Sequence, residues 1–254
     1  METSLTEFFE MNLNAYKKFT GITSLPKFEI ATFEPSLENF EKQGYCSAAT
    51  HEYTCSSGKH TISVWSDLHK HPHADHLLFH EFTHMHDIAT HVFRDSMRNI
   101  VITGYTEYHA GQIGFLKLLN ATSIFEPISF SLDQCIETLF ERMTVLAYMK
   151  SRHDTVKEII GKPGFPGSFE TLIAALGAAF SYLGKLSICR MYARDYDSYK
   201  SLLEDTSMED TLFGWHFVAL KKELTNFLSP SAITFAMGQY RRIVDELIAK
   251  YRLL

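Results

Sequence analysis

Two histidines four residues apart, with a glutamate directly after the first, single out His80-Glu81-Phe82-Thr83-His84 as the stretch of this chain best suited to chemistry. On a helix, residues i and i+4 share a face, so His80 and His84 can each direct an imidazole at one ion. Neutral imidazoles suit Zn2+, and a catalytic zinc site needs three protein ligands and one position left open. Glu81 stands beside the first ligand, where its carboxylate can take a proton from a water molecule activated at the ion.

Such a pair works only if a helix carries it. Leu77, Leu78, Phe82, Met85, Ile88 and Val92 recur at helical spacing and predict a helix over about 74–93. A histidine-rich surface helix that binds metal adventitiously has the same pattern, so a third ligand is the discriminating feature. The continuation HExxHxxGxxH would require Gly at 87 and His at 90. The chain has Asp87 and Thr90, and His91 is one residue out of register. Further on, Gly104-Tyr105-Thr106-Glu107-Tyr108-His109-Ala110-Gly111 leads into a second helical pattern that opens at Glu107. In it Ala110, Gly111 and Gly114 form a small-residue stripe, which predicts close approach to the HExxH helix.

With these two motifs the chain resembles the gluzincins, zinc peptidases whose third ligand is a glutamate on a following helix, often within ExxA. Glu107-Tyr108-His109-Ala110 fits that motif. The short interval between the motifs, and a strand pair just before the first, are most similar to the compact ImmA/IrrE-type peptidases. The resemblance spans about residues 40–120. It implies a zincin-like fold, Zn2+ held by His80, His84 and Glu107, and Glu81 as general base. It also implies an edge strand able to pair with an extended peptide. Many gluzincins follow ExxA with Asp or Asn, which orients a ligand histidine; here Gly111 follows, so that orientation must come from elsewhere, with Asp87 a candidate. Tyr105, Tyr108 and His109 flank Glu107 and are the candidates for stabilising an oxyanion.

The 254 residues are enough for one large domain or two small ones, and 45% hydrophobic with 21% charged residues is an ordinary globular composition. A formal charge of −6 argues against general affinity for nucleic acid or anionic membranes. The start, METSLTEFFEMN, is acidic and amphipathic, unlike a signal peptide. The uncharged run from Thr171 to Gly184 is shorter than a bilayer span. The expectation is a cytoplasmic protein without membrane association. Cys46, Cys55, Cys135 and Cys189 contain no CxxC pair and are expected reduced; Cys46 and Cys55 could face each other across a hairpin.

In chain order, a helix is expected over Leu5–Phe19, a strand over Phe28–Phe33, and a short helical piece from Ser36 to Gly44. A hairpin follows from Tyr45–Thr54 and His60–Trp65 around Cys55-Ser56-Ser57-Gly58-Lys59. Eight of the thirteen histidines fall between His69 and His91, and those outside the HExxH pair are expected to belong to a polar, partly protonatable loop, with a second metal site or a substrate-gating role as the alternatives. After Pro127, helices are expected over Ser131–Ser151, Phe169–Ala193, Met208–Asn226 and Ser231–Tyr251, with a turn-rich loop at Gly161–Gly167. Glu137 and Glu141, one turn apart on the first of these, are expected on a solvated stripe.

The fold class is therefore α+β and mainly helical. Residues 1–125 are expected to form a zincin-like catalytic domain with a small sheet, and 126–254 a helical domain packed on it. The expected function is zinc-dependent hydrolysis of peptide bonds in a peptide or protein substrate. The competing expectation is a zinc-containing regulatory or binding protein without turnover. A carboxylate-bridged di-iron bundle would need a second ExxH, which the chain lacks, and a structural zinc site would need a fourth ligand. Nothing in the sequence indicates an oligomeric state.

Overall fold

The computed structural model describes residues 4–34, 48–91, 96–204, 207–212 and 215–253. The fold is α+β and mainly helical. Its described residues divide between two compact units, each discontinuous in sequence, where the sequence reading placed one boundary near residue 125.

The first unit comprises residues 1–99, 113–128 and 135–143. Helix α1 (Leu5–Thr20) starts with a capping box, in which Ser4 accepts from the Glu7 amide and Glu7 accepts from the Ser4 amide. It stops at Gly21, whose φ of 73° is a conformation that glycine adopts without strain. Strands β1 (Phe28–Phe33), β2 (Ala49–Thr54) and β3 (Lys59–Trp65) form a sheet in the order β1-β3-β2. The central strand β3 runs parallel to β1 and antiparallel to β2, with His51 opposite Ile62 and Tyr53 opposite His60. His60, Ile62 and Val64 alternate inward and are buried, as a half-covered sheet requires. Helix α2 (Asp75–His91) packs against β2 and α1.

Aromatic packing sets the orientation of α2. Tyr16 and Phe19 of α1 meet Phe79 edge-on at 5.4 and 5.3 Å, and Tyr16 meets Phe82 at 5.5 Å. The Tyr16 hydroxyl and Thr83 Oγ1, both buried, lie 3.1 Å apart within this cluster. The face carrying Phe79, Phe82 and Thr83 is thus committed to the core, which leaves the histidine pair facing elsewhere.

The second unit comprises residues 100–112, 129–134 and 144–254. Helix α3 (Ser96–Leu118) supplies its central residues to this unit and its last turns to the first. It begins at Ser96, eleven residues before the position expected from Glu107, so Glu107 sits mid-helix. The other helices are α4 (Val145–Ile160), α5 (Phe169–Tyr192), α6 (Tyr196–Leu203), α7 (Ser207–Leu212), α8 (Trp215–Lys221) and α9 (Pro230–Tyr251). Thr144, Ser168 and Ser229 cap α4, α5 and α9 through their hydroxyls, and Pro230 occupies the first turn of α9. Asp195 ties Ser131 and the Leu132 amide to the loop before α6, at 2.6 and 3.0 Å. Helix α5 is long and apolar enough to cross a membrane, and 78% of its most apolar window is buried inside the fold.

Two expectations change. The helix expected from Ser131 begins only at Val145; before it, β4 (Cys135–Glu137) and β5 (Arg142–Thr144) make a short hairpin. The Thr138 hydroxyl donates to the Glu141 carbonyl and accepts from the Glu141 amide, which closes the turn locally at the expense of a helix. Ile136 alone turns inward between exposed neighbours, a two-residue period. Glu137 and Glu141 therefore lie on a hairpin and not on a helical stripe. Of the helix expected over Met208–Asn226, the described residues form α7 and α8, and the helical stretch ends at Lys221, five residues before Asn226. No strand of five or more residues follows Pro127 among the described residues. The short helix expected near Ser36, and Cys46 with its open pairing, lie outside the described residues.

Candidate metal centre

One turn of α2 brings the two imidazoles together. His80 Nε2 and His84 Nε2 are 3.0 Å apart, with their rings 4.6 Å between centroids and nearly perpendicular. Tetrahedral Zn–N bonds of 2.0–2.1 Å imply an N···N edge of about 3.3 Å, so the pair is close to the spacing an ion needs. His84 is buried and His80 half-buried, which shields the pair from full hydration. Glu81, 6% exposed, lies one residue round the helix.

Glu107 is the third residue of a group that could hold a metal ion. One ligand atom from each of His80, His84 and Glu107 can be chosen so that all lie within 4.8 Å of one another. The reason is legible along α3. A Cβ at Gly114 would stand 3.1 Å from the His76 carbonyl oxygen and 3.4 Å from His80 Cβ, so the helix backbone approaches α2 closely there. Glu107 precedes Gly114 by seven residues, two turns, and projects on the same side of α3. Two imidazoles and one carboxylate, half-buried to buried, are the donor chemistry of a three-ligand zinc site. Among the described residues no other group of three such donors converges in this way.

The small-residue stripe serves two neighbours instead of one. Gly114 faces α2 as expected, but Gly111 faces α5: a Cβ there would overlap the Ser181 carbonyl oxygen. This crossing accounts for glycine where the resemblance predicts Asp or Asn, since neither side chain has room. From the α5 side, Gly177 lies beside Glu107, its Cβ position 3.4 Å from Oε1. Lys185, two turns further along α5, is 9% exposed and donates to the Ser181 hydroxyl and carbonyl at 2.7 and 3.3 Å. Burial pushes its ammonium down to about 7, with Arg152 adding to the effect and Glu107 opposing it.

The candidates for stabilising an oxyanion are placed less favourably. Tyr108 is fully buried and donates to the Asn226 carbonyl at 2.8 Å, which commits its hydroxyl to the core of its unit. Tyr105 and His109 stack on each other at 5.6 Å, two residues to either side of Glu107 and so on the opposite face of α3. Asp87 is buried one turn beyond Thr83, where its charge raises the Tyr16 phenol along with burial itself.

Sequence reading did not single out His51 and His60. His51 of β2 has its ring 6.4 Å from that of His84 and only 14° from parallel. Its Nε2 is 2.9 Å from Nδ1 of His60 on β3, a buried residue. Burial chiefly, then His84 and His60, pushes His51 down to about 3; burial also lowers His60. The signal for this pair was present. His60 lies opposite Tyr53, and His51 is two residues from Tyr53, so a hairpin turning at 55–58 puts both histidines diagonally on one face. No protein-family model, curated protein or solved structure matches the chain.

Proposed function

We propose that this protein is a zinc-dependent peptidase with a zincin-like catalytic unit, acting on a peptide or protein substrate. The observation that carries the reading is the convergence of His80, His84 and Glu107, with Glu81 beside the first ligand on the same helix. His80 and His84 would offer their Nε2 atoms to Zn2+ and Glu107 a carboxylate oxygen. The ion, when bound, lowers the pKa of a water molecule towards neutrality and polarises the scissile carbonyl.

The remaining work falls to the chain's own side chains. Glu81 accepts the proton released by the water and delivers it to the departing amine, so its carboxylate serves first as base and then, protonated, as acid. Among the described residues β2 is an edge strand of its sheet and packs against α2, a position where an extended chain could add alongside it.

The test compares wild type with Glu81→Gln on a diverse peptide library at equal zinc loading. The amide keeps the shape of the side chain but cannot take the proton, and loss of a positioned base lowers rate by a factor of about 10²–10⁴. Zinc-dependent cleavage by wild type that drops by that factor supports the peptidase. Equal cleavage by both proteins removes Glu81 from the reaction.

A further inference from the structure

Resting on the peptidase reading, we propose that Lys185 and Arg152 form a subsite for the free C-terminal carboxylate of the peptide substrate, so that cleavage falls close to the chain end. The starting point is a buried ammonium with no carboxylate beside it. Lys185 is 9% exposed and donates to the Ser181 hydroxyl and carbonyl at 2.7 and 3.3 Å. An ammonium carries three protons, so these two bonds leave one N–H over. Among the described residues no carboxylate lies within ion-pair distance of it. Taking a charge out of water is costly, and buried charges are ordinarily paired for that reason.

A second cation enlarges the imbalance. Arg152 stands on α4, which packs against α5, and its charge disfavours that of Lys185. Its guanidinium donates to the Ser151 hydroxyl at 3.2 Å, lies 5.4 Å from the Tyr148 ring, and likewise meets no carboxylate within ion-pair distance among the described residues. The acidic group that bears on Lys185 is Glu107. Gly177, Ser181 and Lys185 follow at intervals of four on one face of α5, and the Cβ position of Gly177 is 3.4 Å from Glu107 Oε1. The Lys185 side chain folds back to Ser181, which leaves its ammonium about one turn, ~6 Å, from the Glu107 carboxylate. In the zinc-loaded protein Glu107 gives its charge to the ion, and both cations are then uncompensated. A carboxylate answers them: the guanidinium fork matches its two oxygens and the ammonium adds a point charge. An ammonium buried this near a metal ligand suits a chain end, because an acidic side chain would have to bring the backbone on both sides past it.

The experiment uses the full chain, loaded with zinc, and one diverse peptide library made in two forms, with a free C-terminal carboxylate and with a C-terminal amide. Binding is read first, on Glu81→Gln, by ultrafiltration and mass spectrometry of the retained peptides. Free-carboxylate forms should be enriched over their amides by about tenfold or more, the effect of one charge-assisted contact. Adding Lys185→Met should abolish the enrichment at unchanged zinc content, and Arg152→Gln should reduce it. Arg152 is exposed, so its variant carries the test if circular dichroism shows that Lys185→Met does not fold. Wild type should then cut the free-carboxylate forms within their last few residues, and Lys185→Met should raise KM for them more than it lowers kcat. Equal retention of the two forms, retention of neither, or enrichment that survives both substitutions overturns the proposal. Amidated peptides cut as fast as free ones, beside Asp or Glu or elsewhere, overturn it as well and leave the peptidase standing. Enrichment without cleavage of either form sinks the peptidase reading instead, and leaves the carboxylate subsite in a binding protein.

Discussion

Gly184 of α5 lies so close to the Tyr108 carbonyl of α3 that a methyl group in its place would overlap the oxygen. The Gln112 amide nitrogen is 3.2 Å from the same point, and Gly111 meets the Ser181 carbonyl in the same way from the opposite side. Two helices therefore cross backbone to backbone, and Glu107 sits one turn before Gly111 at that crossing.

This crossing predicts that Gly184→Ala destabilises the protein even though alanine is the better helix former. The gain in propensity is about 1 kcal/mol, whereas overpacking a close backbone contact costs about 1–3 kcal/mol and here meets a rigid carbonyl. Urea denaturation should show a lower midpoint. An unchanged or raised midpoint would mean the helices can separate freely.

His84→Ala and Glu107→Ala should each leave less than about a tenth of the tightly held zinc after dialysis, because a three-ligand site cannot lose a ligand and keep its affinity. Elemental analysis of the dialysed proteins measures this directly. Full zinc retention in either variant would remove that residue from the centre.

Acid should destabilise the metal-free protein partly through His51. Its folded pKa of about 3 lies below the ordinary histidine value, so between about pH 6.5 and 3 the unfolded chain takes up a proton that the native state refuses. The contribution is complete above pH 6.5 and declines as pH falls, by on the order of 1 kcal/mol per unit. His51→Gln should flatten the stability profile in that window when unfolding is followed in chelator. Superimposable profiles would show that His51 is protonated as easily in the fold as outside it.

Lys185 runs the same linkage at higher pH. Burial lowers its pKa to about 7, so its unfavourable charge is borne at neutral pH and shed as pH rises towards the unfolded value. Lys185→Met keeps the length of the side chain without the charge and should stabilise the metal-free protein at pH 6–7, by about 1–4 kcal/mol. The advantage should shrink by pH 10. A destabilised variant at pH 6–7 would show that the ammonium's bonds to Ser181 and its attraction to Glu107 outweigh the cost of burying it.

The sequence by itself determined what local geometry governs. A helix of 3.6 residues per turn makes i and i+4 neighbours, so the meeting of His80 and His84 follows from their spacing once the apolar residues of α2 demand a helix. The Ser-Leu-Thr-Glu start of α1, the strand at Phe28–Phe33 and the start of α9 at Pro230 are equally local, set by caps and alternation. Tertiary structure decided everything that joins distant segments. The place of Glu107 depends on a backbone approach at Gly114 to a helix some thirty residues earlier, which no periodicity encodes. Gly111 looked like a missing orienting residue until α5, some seventy residues later, filled the space where a side chain would go. The hairpin at 135–144 won over a helix because one threonine closed its turn and only Ile136 had a core to enter. His51 and His60 became partners through strand register, and neighbours of His84 through packing of β2 on α2. Local rules name the residues able to do chemistry; the contacts between elements select which of them meet.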